Sequence, residues 1–293
     1  MGVAEEQGQR PTMEDQYIMN TDFCPIGISS KVEGARALAG VLDGHSGPEV
    51  AAYAARRLPE ILTKESWYKS DQNPTKEAVT KSIISAFDKV DSEILQKAAA
   101  GSMSGGATAN AMLLIGNTIY VANLGDTRAV ISRSGMAVPL SEDHKPDHPA
   151  ERRRIEELDG RVEWRGCWRV IGTVGAAAFR GLAVSRAFGD VDWKVPVPLV
   201  EARPEVTTVA VTPFDEFLII GCDGVWDVLS NQEAIDIARE HIVLPEAGGA
   251  GGRAAHKGDD LGARAAAQAI ADTALEKGTQ DNVTVVVVEF HRD

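Results

Sequence analysis

Basic residues are the first shortage. Thirty Lys and Arg face 43 Asp and Glu, a formal net charge of −13 at pH 7. A field of that sign repels nucleic acid and anionic membrane, so neither is an expected partner. It draws cations, including metal ions wherever carboxylates gather. Cysteine is scarcer still, with Cys24, Cys167 and Cys222 scattered through 293 residues. That odd set builds no disulfide framework, has no zinc-ligand spacing and suits a reducing compartment. Long apolar runs are missing too, none approaching the roughly 20 residues of a bilayer-spanning helix. The start, Met1-Gly2-Val3-Ala4-Glu5-Glu6, is too acidic for a signal or transit peptide and lacks the Ser or Thr of a myristoylation site. These absences lead us to expect a cytoplasmic or nuclear protein. Asn282-Val283-Thr284 matches a glycosylation sequon but opens an apolar strand, so we read it as chance. With no repeat and no dividing linker, residues 1–293 are expected to form one domain, and nothing demands more than a monomer.

What is present is hydrophobic periodicity, in a chain that is 44% apolar. Residues 17–19 and 35–42 read as strands. Val50, Ala51, Ala54, Leu58, Ile61 and Leu62 share one face of a helix over 48–62, with Pro59 expected to bend or shorten its end. Asn73-Pro74 reads as a cap, followed by a long amphipathic helix marked by Val79, Ile83, Phe87, Val90 and Ile94. Runs at 107–115, 118–124 and 128–133, separated by Gly116-Asn117 and Gly125-Asp126, read as an antiparallel meander. A charged helix is expected over 150–158, and an irregular stretch over 161–195. Strands follow at 206–211 and 217–222. Ser230-Asn231-Gln232-Glu233 is a capping box. Residues 246–262 read as a mobile Gly/Ala-rich loop, 263–277 as a helix and 282–290 as a last strand. The sum is antiparallel sheets with helices outside, an α+β architecture.

Four apolar runs carry an Asp at one end. Val41-Leu42 ends at Asp43-Gly44-His45, Leu124 at Gly125-Asp126, and Cys222 at Asp223-Gly224. The fourth, from Val283, begins after Asp281-Asn282. Glu14-Asp15 also lies beside a strand. Each alone reads as a turn, because Asp, Asn and Gly dominate turns. If their strand ends coincide, the carboxylates crowd, and crowding raises their pKa values unless a cation intervenes. Oxygen ligands select Mg²⁺ or Mn²⁺ over zinc. Gly44, lacking a side chain, lets its carbonyl come close to an ion. Two ions sharing one carboxylate lower the pKa of a bridging water, which suits phosphoryl transfer to water. Arg10 can hold phosphate oxygens, or simply pair with Glu14 at the surface. His45 can protonate a leaving alkoxide, or serve as a capping or supporting histidine. His144, His148 and His256 read as structural or exposed.

With these residues in place the chain resembles the metal-dependent protein phosphatase family, type 2C. Gln7-Gly8-Gln9-Arg10 with Met13-Glu14-Asp15, residues 41–47, and Gly105-Gly106-Ala107-Thr108-Ala109 carry the likeness. So do Asn123-Leu124-Gly125-Asp126-Thr127-Arg128, and Glu142-Asp143-His144-Lys145-Pro146 with Glu151 and Arg154-Ile155. Leu182-Ala183-Val184-Ser185-Arg186-Ala187-Phe188-Gly189-Asp190, residues 222–227 and Asp281-Asn282-Val283-Thr284 complete it. The resemblance implies a four-layer αββα sandwich, two antiparallel sheets flanked by pairs of antiparallel helices. It implies hydrolysis of phosphoserine and phosphothreonine in protein substrates with two Mg²⁺ or Mn²⁺ ions. Asp43 would bridge the ions, the Gly44 carbonyl would bind one, and Asp223 and Asp281 would hold the other. Glu14 and Asp15 would act mostly through water, and Asp126 with Asp223 matches a weaker third site. Arg10 would hold the phosphate and His45 would be the general acid. One departure is clear: Trp168-Arg169-Val170 is separated from Leu182 by residues 171–181, in a flap-like insertion near 161–200. A catalytically inactive relative acting as a regulatory binding module is the alternative, and would require lost ligands. A two-metal nuclease or small-phosphate hydrolase is a third, weighed down by the negative charge.

Overall fold

Aliphatic and β-branched runs pair into sheets here, and the amphipathic segments between them fold as helices. The computed structural model describes residues 1–24, 36–68, 74–172, 175–242 and 260–290. The chain opens with β1 (Gly2–Glu6), β2 (Gln16–Asn20), β3 (Arg36–Leu42) and the short β4 (Gly44–His45). Helices α1 (Glu49–Leu62) and α2 (Lys76–Ala99) precede β5 (Gly106–Ala107), β6 (Ala109–Ile115), β7 (Thr118–Leu124), β8 (Arg128–Arg133) and β9 (Met136–Pro139). Next come α3 (Pro149–Glu157), the hairpin β10 (Arg161–Trp164) and β11 (Trp168–Ile171), then β12 (Phe188–Gly189) and α4 (Val191–Lys194). The chain closes with β13 (Glu205–Ala210), β14 (Asp215–Gly221), α5 (Asp223–Trp226), α6 (Asn231–His241), α7 (Leu261–Glu276) and β15 (Val283–Glu289). No helix of the described residues is long and apolar enough to cross a membrane. All three cysteines are free thiols.

Contacts divide the chain into two compact units. The larger comprises Glu14–Thr127 and Ser141–Ala210. Its five-stranded antiparallel sheet runs β13-β7-β6-β3-β2, and a three-stranded ribbon runs β12-β5-β4. The core joins Leu38, Leu42 and Leu113 of the sheet to Leu58, Ile83 and Phe87 of α1 and α2. Helix α1 buries the same six residues that its periodicity marks. Pro59 sits inside the final turn without ending the helix. Thr75, not Asn73, caps α2, its hydroxyl accepting the Ala78 N–H at 3.2 Å; Asn73 lies outside the described residues.

A buried ion pair crosses this unit, from Asp91 of α2 to Lys194 of α4 at 2.6 Å. Burial moves the Asp91 pKa up and the Lys194 pKa down, and each partner's charge works against that shift. A second charged knot ties α3 to the 182–203 stretch. There Glu151 accepts from Arg154 and Arg186, while Arg154 reaches the Ser185 and Leu199 carbonyls.

The smaller unit comprises Met1–Met13, Arg128–Leu140 and Val211–Asp293. Its five-stranded antiparallel sheet runs β1-β15-β14-β8-β9. The central β14 and β15 are buried almost throughout, and α7 turns Ala266, Ala267, Ile270 and Ala274 inward. The capping box of α6 forms as read, Ser230 and Glu233 bonding reciprocally.

Three expectations change. The third strand of the meander, β8, does not extend the sheet of β6 and β7. It pairs with β14 and β9, while β13 takes the free side of β7. The stretch expected to be irregular contains the β10–β11 hairpin. Its continuation closes on itself at a Val170–Leu182 bridge, with amide-to-carbonyl distances of 2.8 and 3.2 Å. Finally β1, unmarked by any apolar run, pairs with β15. Of the loop expected over 246–262, residues 246–259, with His256 and Asp259, lie outside the described residues. Asp260 accepts from the Met1 ammonium at 2.6 Å.

Ile219 lies in the middle of β14 with no exposed surface. Ile219→Ala should lower the free energy of unfolding by about 2–5 kcal/mol, read as a reduced urea midpoint at an unchanged slope.

Candidate metal centre and proton donor

In the smaller unit, antiparallel pairing sets the C-terminal end of β14 beside the N-terminal end of β15. Cys222 fastens this edge: its N–H donates to the Thr284 carbonyl at 3.3 Å, and its thiol to the Asn282 carbonyl at 3.4 Å. Asp223 and Asp281 therefore arrive at one edge of one sheet. A side chain at Gly224 would stand 2.0 Å from the Asn282 carbonyl oxygen, so the bend after Asp223 presses on the Asp281-Asn282 backbone. Arg10 is held here as well. The Asn282 amide donates to the Gln7 and Thr12 carbonyls at 2.8 and 3.0 Å, fixing the segment that carries Arg10. The guanidinium donates to Asp281 Oδ2 at 2.5 Å. Arg10 thus pairs with Asp281 rather than with Glu14, the surface partner weighed from sequence.

In the larger unit, the register of β2 and β3 places Gln16 opposite Leu42, so Asp15 and Asp43 leave neighbouring strand ends. Asp15 is buried. Glu14 Oε2 accepts the Gly47 N–H at 2.9 Å, and the Asp43 carbonyl accepts the Thr108 N–H at 2.9 Å. Gly44 needs its bareness for a second reason beyond its own carbonyl: a Cβ there would stand 2.4 Å from the Glu14 carbonyl oxygen. Its absence lets the Glu14 backbone close on the Asp43-Gly44 turn. Asp126, just past β7, accepts from the Lys145 ammonium.

His45 meets Asp190, its Nε2 lying 2.8 Å from Oδ2 and 3.0 Å from Oδ1. The imidazole keeps 27% of its side-chain surface while Asp190 keeps 4%, so the histidine faces outward and its partner does not. Burial alone would lower the His45 pKa. The Asp190 charge and hydrogen bond, with Asp126 and Glu14 behind them, turn the net shift upward. The sequence places Asp190 at the end of a motif but gives no sign of its pairing with His45, 145 residues away. Nor does the sequence mark Asn282 as the residue that holds the Arg10 segment in place.

The donors are all hard oxygens, as a divalent Mg²⁺ or Mn²⁺ requires. Among the described residues, no group of three or more His, Cys, Asp or Glu stands arranged to hold an ion as placed. Basic side chains answer two of the acids, Arg10 on Asp281 and Lys145 on Asp126. Carboxylate and carbonyl oxygens are the chemistry that the ions implied by the resemblance require.

His144 is buried beside the same turn as Asp126. Its Nδ1 accepts the Gly125 N–H at 3.0 Å, and its backbone N–H donates to the Gly125 carbonyl at 2.9 Å. An acceptor nitrogen requires the neutral ring. Burial, reinforced by the Arg186 charge, lowers its pKa to about 4.

A family model described as Protein phosphatase 2C matches residues 1–283. The chain is 36% identical over its whole length to probable protein phosphatase 2C member 13, mitochondrial, of Oryza sativa subsp. japonica, covering 68% of it. It is 37% identical to probable protein phosphatase 2C 59 of Arabidopsis thaliana, over 100% of this chain and 80% of that one. A crystal structure of serine-threonine phosphatase 2C from Toxoplasma gondii superposes with a TM-score of 0.80 at 23% identity. It covers 99% of this chain and 94% of that one, a likeness of fold.

His144 predicts a pH effect with a definite sign. Between its ordinary value and about 4, the unfolded imidazole takes up a proton that the folded one refuses. Stability should fall as pH drops through that window. The urea midpoint of the protein should decline more steeply from pH 7 to pH 5 than that of His144→Gln, which has no such group.

Proposed function

The chain belongs to the protein phosphatase 2C family, protein-serine/threonine phosphatases that use divalent metal, and on that premise we propose how its own residues carry the reaction. Its substrates are phosphoproteins. As the family resemblance implies, Asp43, the Gly44 carbonyl, Asp223 and Asp281 would hold two Mg²⁺ or Mn²⁺ ions. Glu14 and Asp15 would contribute mostly through water, and Asp126 and Asp223 would be the residues available to a weaker third ion. When bound, the ions supply an acidified water as nucleophile and positive charge for the phosphoryl oxygens.

The remaining chemistry falls to side chains. Arg10 commits one N–H to Asp281, and its planar fork has four more to offer phosphate oxygens. Asn282 keeps it at that post. His45 gives a proton to the departing seryl or threonyl oxygen, which is a poor leaving group without one. The observation that carries this reading is the family match over residues 1–283, and every acid the resemblance names is present in the sequence. No ligand position is lost, as an inactive relative would require.

Purified protein should release phosphate from a phosphoserine peptide with Mn²⁺ and stop on addition of EDTA. Asp43→Asn, Asp223→Asn and Asp281→Asn should each lower bound Mn²⁺, measured by mass spectrometry, and cut turnover by about 100-fold or more. Undiminished turnover in any of the three would remove that residue from the ligand set. His45→Ala should slow hydrolysis of the phosphopeptide by about 100-fold. Aryl phosphates, whose leaving group needs no proton, should slow far less; equal slowing of both would count against the acid.

A further inference from the structure

His45 sits on β4, the outer strand of the three-stranded ribbon. Gly106 of β5 lies directly across from it, and Gly189 of β12 lies across from Gly106 on the other side. The His45–Asp190 contact passes through the space where a Gly106 side chain would be. A Cβ there would stand 2.2 Å from Asp190 Oδ2 and 2.5 Å from His45 Nε2. Asp190 itself is strained into place, with φ +50° and ψ +49° in the left-handed region that non-glycine residues seldom adopt. Its N–H donates to the Gly105 carbonyl at 2.9 Å.

Behind it stands the buried pair. Asp91 Oδ1 accepts the Gly189 N–H at 2.8 Å and the Lys194 ammonium at 2.6 Å, and the same ammonium donates to the Ala187 carbonyl at 2.8 Å. The residues on both sides of Phe188 are thus pinned, and the turn at Asp190 follows from them. A strained backbone persists only where its surroundings over-determine it, and these do.

We propose that Asp190 is the positioning residue of His45, that Gly106 is bare because their contact fills its side-chain space, and that the Asp91–Lys194 pair anchors the arrangement. With Nε2 committed to Asp190, Nδ1 is the nitrogen left to donate the proton. As the P–O bond breaks, its electron pair goes to the seryl oxygen and the Nδ1 proton completes the hydroxyl. The attacking water forms the new P–O bond, and one of its protons restores the imidazole. This rests on the reading of His45 as general acid, and it assigns work to two motifs, around Gly106 and ending at Asp190, that the metal chemistry leaves idle.

The test compares His45→Ala, Asp190→Ala, Asp190→Asn, Gly106→Ala and the double variant His45→Ala/Asp190→Ala, each checked for native folding by thermal melting. Substrates are a phosphoserine peptide and p-nitrophenyl phosphate with Mn²⁺. Asp190→Ala and Gly106→Ala should each lower kcat on the peptide by about 10–100-fold, with KM little changed and a far smaller loss on the aryl phosphate. Asp190→Asn, whose amide oxygen still accepts from Nε2–H and which tolerates the left-handed backbone, should recover most of the rate. The double variant should be no slower than His45→Ala alone, because residues acting as one unit are not additive. Equal loss on both substrates, or further loss in the double variant, overturns the proposal.

A second readout is independent of turnover: the ¹⁵N imidazole shifts of His45 should report a bonded Nε2–H in the unsubstituted protein and lose that signature in Asp190→Ala and Gly106→Ala. Unchanged shifts in both overturn the positioning role. If His45→Ala shows no leaving-group preference while the shifts move as expected, the acid reading fails and the positioning stands.

Discussion

Carboxylates drawn together repel, and burial penalises each of them further, so a fold that gathers them must bring counter-charge. This chain does so case by case. Asp91 takes Lys194, Asp215 takes Arg133, Glu151 takes Arg186 and Arg154, Asp281 takes Arg10, and Asp190 takes the imidazole of His45. These pairs differ in consequence. Glu151, nearly buried, is held well down at a pKa of about 2 despite its desolvation, because two guanidinium groups meet it. Losing one partner of such a pair costs about 3–5 kcal/mol, since the other charge stays behind in the protein. At the surface, where Arg10 meets Asp281, the same attraction is weak enough to be exchanged.

The second constraint is the closeness of backbones. Gly44, Gly106 and Gly224 all stand where a methyl group would collide with a carbonyl oxygen or a functional side chain. Their value lies in what approaches them. Strand ends that carry acids can meet only if the chain segments bearing them lie nearly in van der Waals contact. Small residues at those crossings make that possible.

Much of this was legible in the sequence. The buried face of α1, the capping box of α6 and most strand positions followed from local periodicity, because burial on one face leaves a regular trace. The strand-end acids and His45 stood out for the same reason. What escaped was non-local. Strand β1 buries only Gly2 and Ala4 and carries two Glu, and it becomes a strand because β15, at the other end of the chain, offers its edge. The turn at Gly125-Asp126 looks like a hairpin turn, yet the strand after it joins a different sheet, since pairing is settled by distant partners. Asp190 and His45 are 145 residues apart, and no spacing rule spans such a gap.

The Val170–Leu182 bridge has a consequence for how such a chain can change. Its two hydrogen bonds hold the ends of the 171–181 stretch together whatever lies between them. The entropy of closing a loop grows only slowly with its length. Residues can therefore be inserted at its exposed Phe179-Arg180 with little effect on the strands and helices on either side, while Ile171 and Ala177 stay buried. The bridge makes this stretch a graft point, where the chain can be revised while the acids, the histidine and their partners stay where they are.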